Sequence, residues 1–128
     1  MTSSVGTILL VEDDFVLRAA LAELFTSEGY SVACAANGLE AFALLSNKAM
    51  PKPSVIVLDL MMPYMDGIEF RALQRSLPSV SDVPVVVITA NGSVAVEAEQ
   101  LAVARTMFKP VNSWRLLDAV RELAPAAA

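Results

Sequence analysis

The chain has 128 residues, 55% hydrophobic and 18% charged, enough apolar side chain to fill one core and too much for intrinsic disorder. Nine basic against fourteen acidic residues leave a net charge of -5, the wrong sign for attraction to phosphate backbones or anionic lipid, so neither nucleic acid nor a membrane is an expected ligand. A single cysteine, Cys34, rules out an internal disulfide, and the lack of histidine removes the usual zinc site and every Ser-His or Cys-His nucleophile pair.

Residues 1–6 lack a basic stretch, and the first apolar run gives way to acids after Val11, far short of a signal-peptide core or a membrane span. A cytoplasmic chain with flexible ends at residues 1–6 and 125–128 is expected. Thr7–Val11 is rich in branched apolar side chains, which predicts a strand buried on both faces. Leu17, Leu21, Leu24 and Phe25 then recur at helical steps up to Gly29, a carboxyl-terminal cap, with Asp14 placed to cap the other end. Tyr30–Ala35 alternates more weakly and predicts a strand nearer the sheet edge. A second helix starts at Asn37-Gly38 and carries Leu39, Phe42 and Leu45 on one side. Ser54–Leu58 is the third predicted strand. The third helix runs from Asp66-Gly67 through Ile68, Phe70, Leu73 and Leu77 to a stop near Pro78. Val83–Ile88 predicts a fourth strand, Val94–Ala102 a fourth helix and Thr106–Phe108 a fifth strand buried like the others. Ser113 is expected to cap a last helix whose apolar stripe is Trp114, Leu117, Val120 and Leu123, before Pro125 ends the domain.

This alternation predicts an α/β domain over residues 1–128, a doubly wound five-stranded parallel sheet with helices on both faces. Ligands of such sheets bind beyond the carboxyl ends of the strands. There stand Glu12, Asp13 and Asp14 after strand one, Asp59 after strand three, Thr89 after strand four and Lys109-Pro110 after strand five. Clustered carboxylates resist shared burial unless positive charge compensates. Lys109 offers one charge, and magnesium, which suits oxygen sites with few carboxylates, offers two more. That set is equipment for stabilising a phosphoryl group in transfer. Taken singly, Asp14 reads as a helix cap, Thr89 as a turn residue, Lys109 as a solvated lysine, and Cys34 and the six methionines as packing. The conjunction at four strand ends favours chemistry.

Four segments carry a resemblance: Ile8-Leu9-Leu10-Val11-Glu12-Asp13-Asp14; Val57-Leu58-Asp59-Leu60-Met61-Met62-Pro63 with Met65-Asp66-Gly67; Val87-Ile88-Thr89-Ala90; and Phe108-Lys109-Pro110. In this order the chain resembles, over nearly its whole length, the receiver domains of bacterial two-component response regulators. The resemblance implies a flavodoxin-like sheet of order 2-1-3-4-5 and phosphorylation of Asp59 by a sensor histidine kinase or a histidine phosphotransfer protein. It implies magnesium as cofactor, held by Glu12, Asp13, Asp59 and the backbone carbonyl of Met61. Thr89 would bond the phosphoryl oxygen after transfer, Lys109 would pair with the phosphoryl group, and Pro110, in cis linkage, would shape that loop. Such a domain is no enzyme with turnover; it catalyses only its own phosphoryl transfer and autodephosphorylation and switches binding to a downstream protein partner. A homodimer through the face of the fourth helix, fifth strand and fifth helix is one assembly open to it.

The chain departs from the family pattern at Thr106, where an aromatic switch residue is usual and which Met107 or Phe108 replaces only in part. The two-state element is therefore expected to be weaker or to lie in the Asn91-Gly92-Ser93 loop, whose glycine permits rearrangement. Val103-Ala104-Arg105 also replaces the glycine-alanine pair frequent before strand five. Three rival readings are weaker. An aspartyl-phosphate phosphatase resembles an Asp-x-Asp arrangement, and Met61 occupies the second acid's place. A flavin-binding domain needs a Ser/Thr/Gly loop after strand one, where Glu12-Asp13-Asp14 would repel phosphate. A receiver that docks partners without phosphorylation has no need of the intact acidic set.

Overall fold

A computed structural model describes residues 6–90, 92 and 102–124. The helix expected over Val94–Ala102 lies outside them except for Ala102, as do Asn91, Ser93 and the expected flexible ends except for Gly6. Gly6 is already held, its carbonyl accepting the Ser31 N–H at 3.0 Å.

The described elements are β1 (Thr7–Val11), α1 (Phe15–Ser27), β2 (Ser31–Ala35), α2 (Gly38–Ser46), β3 (Val55–Asp59), α3 (Gly67–Ser76), β4 (Val85–Thr89), β5 (Arg105–Phe108) and α4 (Ser113–Leu123). All strand pairs are parallel and the sheet order is β2-β1-β3-β4-β5, as the resemblance implies. β3 and β4 end one residue later than their hydropathy suggests. Pairing of Asp59 with Ile88 and of Thr89 with Phe108 carries each strand on to its polar last residue.

Alternation along the strands divides the core in two. Ile8, Leu10, Val55, Val57, Val86 and Ile88 face Leu21 and Phe25 of α1 and Leu116, Leu117 and Val120 of α4. On the opposite face Leu9, Val11, Ile56, Leu58, Val85 and Val87 meet Ala41 of α2 and Phe70 of α3. Each fully buried aliphatic or aromatic side chain contributes about 1.5–3 kcal/mol, so these two layers make the sheet the rigid part of the molecule. The helices begin on side-chain caps: Asp14 accepts from the Val16 and Leu17 amides, Asn37 from Glu40, and Asp66 forms a reciprocal capping box with Glu69.

Several expectations are corrected at the edges of this frame. β5 is the edge strand that the order 2-1-3-4-5 implies, but it is not buried like the others: its side chains are half-buried or exposed, and Phe108 is 57% exposed. Cys34 is exposed because β2 is the other edge, and Met61 is half exposed in a loop, while Met50, Met62, Met65 and Met107 pack against the two cores as expected. Asn112, not Ser113, caps α4, its side chain accepting from the Arg115 amide. Trp114 is 67% exposed, since the face of α4 turned to the sheet is Leu116, Leu117, Ala119 and Val120. On α3 two polar residues, Arg71 and Gln74, share the buried face with Gly67 and Phe70. They are tolerated because their groups meet backbone: Gln74 Nε2 donates to the Val80 and Val83 carbonyls at 2.7 and 3.2 Å, and Arg71 donates to Gln74 Oε1 and, at 3.0 Å, to the Ala102 carbonyl.

The start of α3 comes so close to the end of β3 that only glycine fits. A Cβ on Gly67 would lie 2.5 Å from the Asp59 carbonyl oxygen and 2.7 Å from Leu60 Cα, both backbone atoms. Gly67→Ala is therefore expected to lower stability by about 1–3 kcal/mol in denaturant titrations, with little change in the slope of the transition. Unchanged stability would mean that α3 can slide away from β3 at no cost.

Candidate functional site

Because all strands run the same way, their carboxyl ends meet at one rim. Glu12 directly follows β1, Asp59 ends β3, Thr89 ends β4 and Lys109 directly follows β5. Glu12, Asp59 and Thr89 are buried, Lys109 is partly buried and Asp13 is exposed. Lys109 Nζ lies 2.9 Å from Glu12 Oε1 and 3.2 Å from Asp59 Oδ2, so one ammonium bridges two carboxylates from different strands. Carboxylate oxygens of Glu12, Asp13 and Asp59 all fall within 4.8 Å of one another.

Local backbone aims these groups. The Met61 N–H donates to Asp59 Oδ1 at 3.0 Å, and the Asp14 N–H donates to Glu12 Oε2 at 3.0 Å. The Lys109 N–H donates to the Thr89 carbonyl at 2.9 Å, and the following Lys109–Pro110 peptide is cis, as the resemblance implies. Thr106 is half-buried on β5 and lies apart from the acidic cluster. With Met107, Phe108, Pro110, Asn112 and Arg115 it lines a surface groove of about 320 Å³ between β5 and the start of α4.

Burial pushes the Asp59 carboxyl up to about 7, and the charge of Glu12 and a hydrogen bond shared with Asp13 push the same way, against the Met61 amide and Lys109. Asp13 goes down: its slight desolvation works upward, but hydrogen bonding to Asp59 and Glu12 and the Lys109 charge outweigh it. Partial desolvation of Lys109 works downward, and the bonds and charges of Glu12 and Asp59 more than reverse it, so its pKa is raised. The strain of crowding thus falls on the buried Asp59, with Asp13 nearer to solvent.

These residues fit a hard divalent cation. Glu12 Oε1, although ion-paired, takes no hydrogen bond of proper geometry, and it is the one buried side-chain polar atom so left among the described residues. A carboxylate oxygen held by an ion pair alone, beside two further oxygens, is a donor set for magnesium or a like ion.

Two features of the rim escape a reading of the motifs alone. Arg18, one turn into α1, reaches back to the rim, its Nη1 donating to the Glu12 carbonyl at 2.7 Å. The signal for it is helical spacing, since side chains on a helix lean toward its amino end. The second is an apolar collar. The large exposed hydrophobic side chains of the described residues are Phe15 and Val16 on α1, Leu39 on α2, Met61 and Tyr64 between β3 and α3, Phe108 closing β5 and Trp114 on α4. All seven lie at strand carboxyl ends, on the connections that leave them or in the first turns of the helices that follow, on the same end of the sheet as the acids.

In chelator the raised Asp59 has a consequence for stability. Its folded value of about 7 lies above the ordinary 3.8, so the native state holds a proton that the unfolded chain has released. The benefit is fully present near pH 4 and is lost as pH rises through 7, on the order of a few kcal/mol in all. Thermal melts in chelator should fall from pH 5 to 8 in the parent, whereas Asp59→Asn should be flatter and more stable at pH 8. Added magnesium should reverse the fall.

A model of the family described as response regulator receiver domain matches residues 8–121. The chain is 33% identical over 120 residues to sporulation initiation phosphotransferase F of Bacillus subtilis, covering 92% of this chain and 93% of that protein. Other curated relatives are longer, the chain spanning about half of their length or less. Among solved structures it is similar to the chemotaxis response regulator CheY4 of Vibrio cholerae, with a TM-score of 0.83, 26% identity and coverage of 92% of this chain and 98% of that one. It is also similar to the Mn(2+)-bound form of response regulator Rcp1, with a TM-score of 0.80, 25% identity and coverage of 96% and 97%. Among the described residues no helix is long and apolar enough to cross a membrane. With the acidic rim, the lysine bridge and the sheet order already in place, these likenesses are to one kind of molecule, and the chain belongs to the receiver domains of two-component response regulators, which signal by phosphorylation.

Proposed function

We propose that residues 1–128 act as a single receiver domain in a phosphorelay, with Asp59 as the phosphoacceptor. The observation that carries this reading is the buried Asp59 carboxylate, bridged to Glu12 by Lys109 and clustered with Glu12 and Asp13, their carboxylate oxygens within 4.8 Å of one another. An oxygen of Asp59 attacks the phosphorus of a phosphohistidine on a sensor histidine kinase or histidine phosphotransfer protein. The phosphorus–nitrogen bond breaks, and the imidazole leaves with the electron pair and takes up a proton. Lys109 holds the phosphoryl charge in place of part of its contact with Asp59, and Thr89, one strand away, receives a phosphoryl oxygen after transfer. Glu12, Asp13, Asp59 and the Met61 carbonyl would hold magnesium, which would supply the remaining positive charge; the donor set and the manganese form of the similar regulator Rcp1 support this.

The apolar collar supports a protein donor over a small-molecule one, because a protein surface would cover it on docking. Turnover is limited to the domain's own phosphorylation and autodephosphorylation, and supply from an ATP-dependent kinase puts the chain in the cytoplasm. The groove at Thr106, Phe108 and Arg115 is the surface on which a downstream protein partner reads the state, and a homodimer through the same side is the other assembly this reading allows. Thr106 brings no ring to that surface. The ring of Phe108, two residues on along the same strand face, is exposed beside Gly92. The switch therefore lies closer to the acidic rim, at Gly92 after β4.

Incubation with acetyl phosphate and magnesium is expected to give a single phosphate adduct by intact mass, more stable in acid than in base, and none in Asp59→Asn. Retention of the adduct in that variant would sink the assignment. Beryllium fluoride should shift amide signals around Asp59, Thr89 and Gly92 more than those of Ser113 to Leu117, and Thr106→Tyr should extend the response toward Trp114. Largest parent shifts across β5 and α4 would restore a ring-based switch.

A further inference from the structure

Arg18 sits in α1 with its backbone N–H donating to the Asp14 carbonyl at 2.9 Å, but its side chain turns back out of the helix. Nη1 donates to the Glu12 carbonyl at 2.7 Å and, at a longer 3.4 Å, to the Asp13 carbonyl. The guanidinium carbon lies 5.6 Å from the centre of the Phe15 ring, which covers it from one side. One cation therefore ties together the two consecutive residues whose carboxylates enter the acidic cluster, and it does so through their peptide oxygens. Their carboxylates are left to face Asp59, Lys109 and any incoming ion.

We infer that Arg18 is a positioning residue for cation binding at this rim: it clamps the Glu12–Asp13 backbone so that the two carboxylates converge with Asp59. This rests on the reading of the rim as a magnesium-assisted phosphoacceptor site. The physical need is plain. Glu12, Asp13 and Asp14 are three successive acids, and their repulsion works to spread the loop that must hold two of them together. A guanidinium is suited to the task, since it is always charged and its Nη1 carries two hydrogens, one for each of the two carbonyls.

The clamp and the charge of Arg18 have opposite effects on a bound cation. As a positive charge near the rim Arg18 repels magnesium, so removing it would tighten binding; as a clamp it organises the ligands, so removing it weakens binding. Outer residues that orient metal ligands typically change affinity by about 10–100-fold. Isothermal titration of the whole chain with magnesium decides by sign. Arg18→Ala is expected to raise the magnesium Kd about 10-fold, and Arg18→Gln, neutral but still able to donate to one carbonyl, by less. Melts in chelator identify which variants are folded, and a selective loss of magnesium affinity in a folded variant is a result that general destabilisation would not give. Unchanged or tighter magnesium binding in both variants overturns the inference alone. A parent chain that takes up no magnesium overturns the phosphoacceptor reading and the inference with it.

Discussion

The structure is organised around an uncompensated excess of buried negative charge. Glu12 and Asp59 are drawn out of water at the ends of neighbouring strands, Asp13 stands beside them, and one lysine serves both buried acids. Carboxylates this close cannot all keep their charge without help, and the site answers in two ways: Asp59 is pushed toward holding a proton, and one Glu12 oxygen is left without a hydrogen bond. Both are relieved by a small multivalent cation. The strain is therefore also a preparation, because the groups that destabilise the metal-free fold are those that hold an ion and a phosphoryl group when these arrive.

Such a site needs a frame that does not yield to repulsion. β1, β3 and β4 are buried almost throughout, with a core layer on each face, so the strand ends cannot drift apart without opening both layers. The loops are drawn in by close backbone approaches. Gly67 packs against the Asp59 carbonyl, and a Cβ on Gly38 would meet the Met65 carbonyl at 2.6 Å. At the opposite end of the strands Gln74 ties α3 to the Val80 and Val83 carbonyls, and the Tyr30 hydroxyl donates to the Ala124 carbonyl at 2.6 Å, fixing the end of α4 to the start of β2.

The edge at β5 differs in character. It is short, its side chains are half-buried or exposed, and it offers a groove instead of a packed face. A rigid charge site on the inner strands next to a loosely covered edge strand is an arrangement in which a change of charge can alter what the edge binds while the core stays as it is.

The sequence by itself determined the elements and the chemistry. Strands of uninterrupted branched residues, caps at Asp14, Asn37 and Asp66, and acids, hydroxyl and lysine at the strand ends are local signals, and each was legible within a few residues of itself. The structure brought Glu12, Asp13, Asp59 and Lys109 together as those signals required. What only the tertiary structure decided is which groups face water. Trp114 and Phe108 continue apolar patterns yet are exposed, because α4 turns another face to the sheet and β5 has no outer neighbour. Arg71 and Gln74 break an apolar pattern yet are buried, because carbonyls of the connection after α3 and of the distant Ala102 receive their hydrogens. Glu12 is buried while its neighbour Asp13 is not. Burial and partnership are properties of contacts between segments far apart in the chain, and a local pattern carries no record of which segment will cover it.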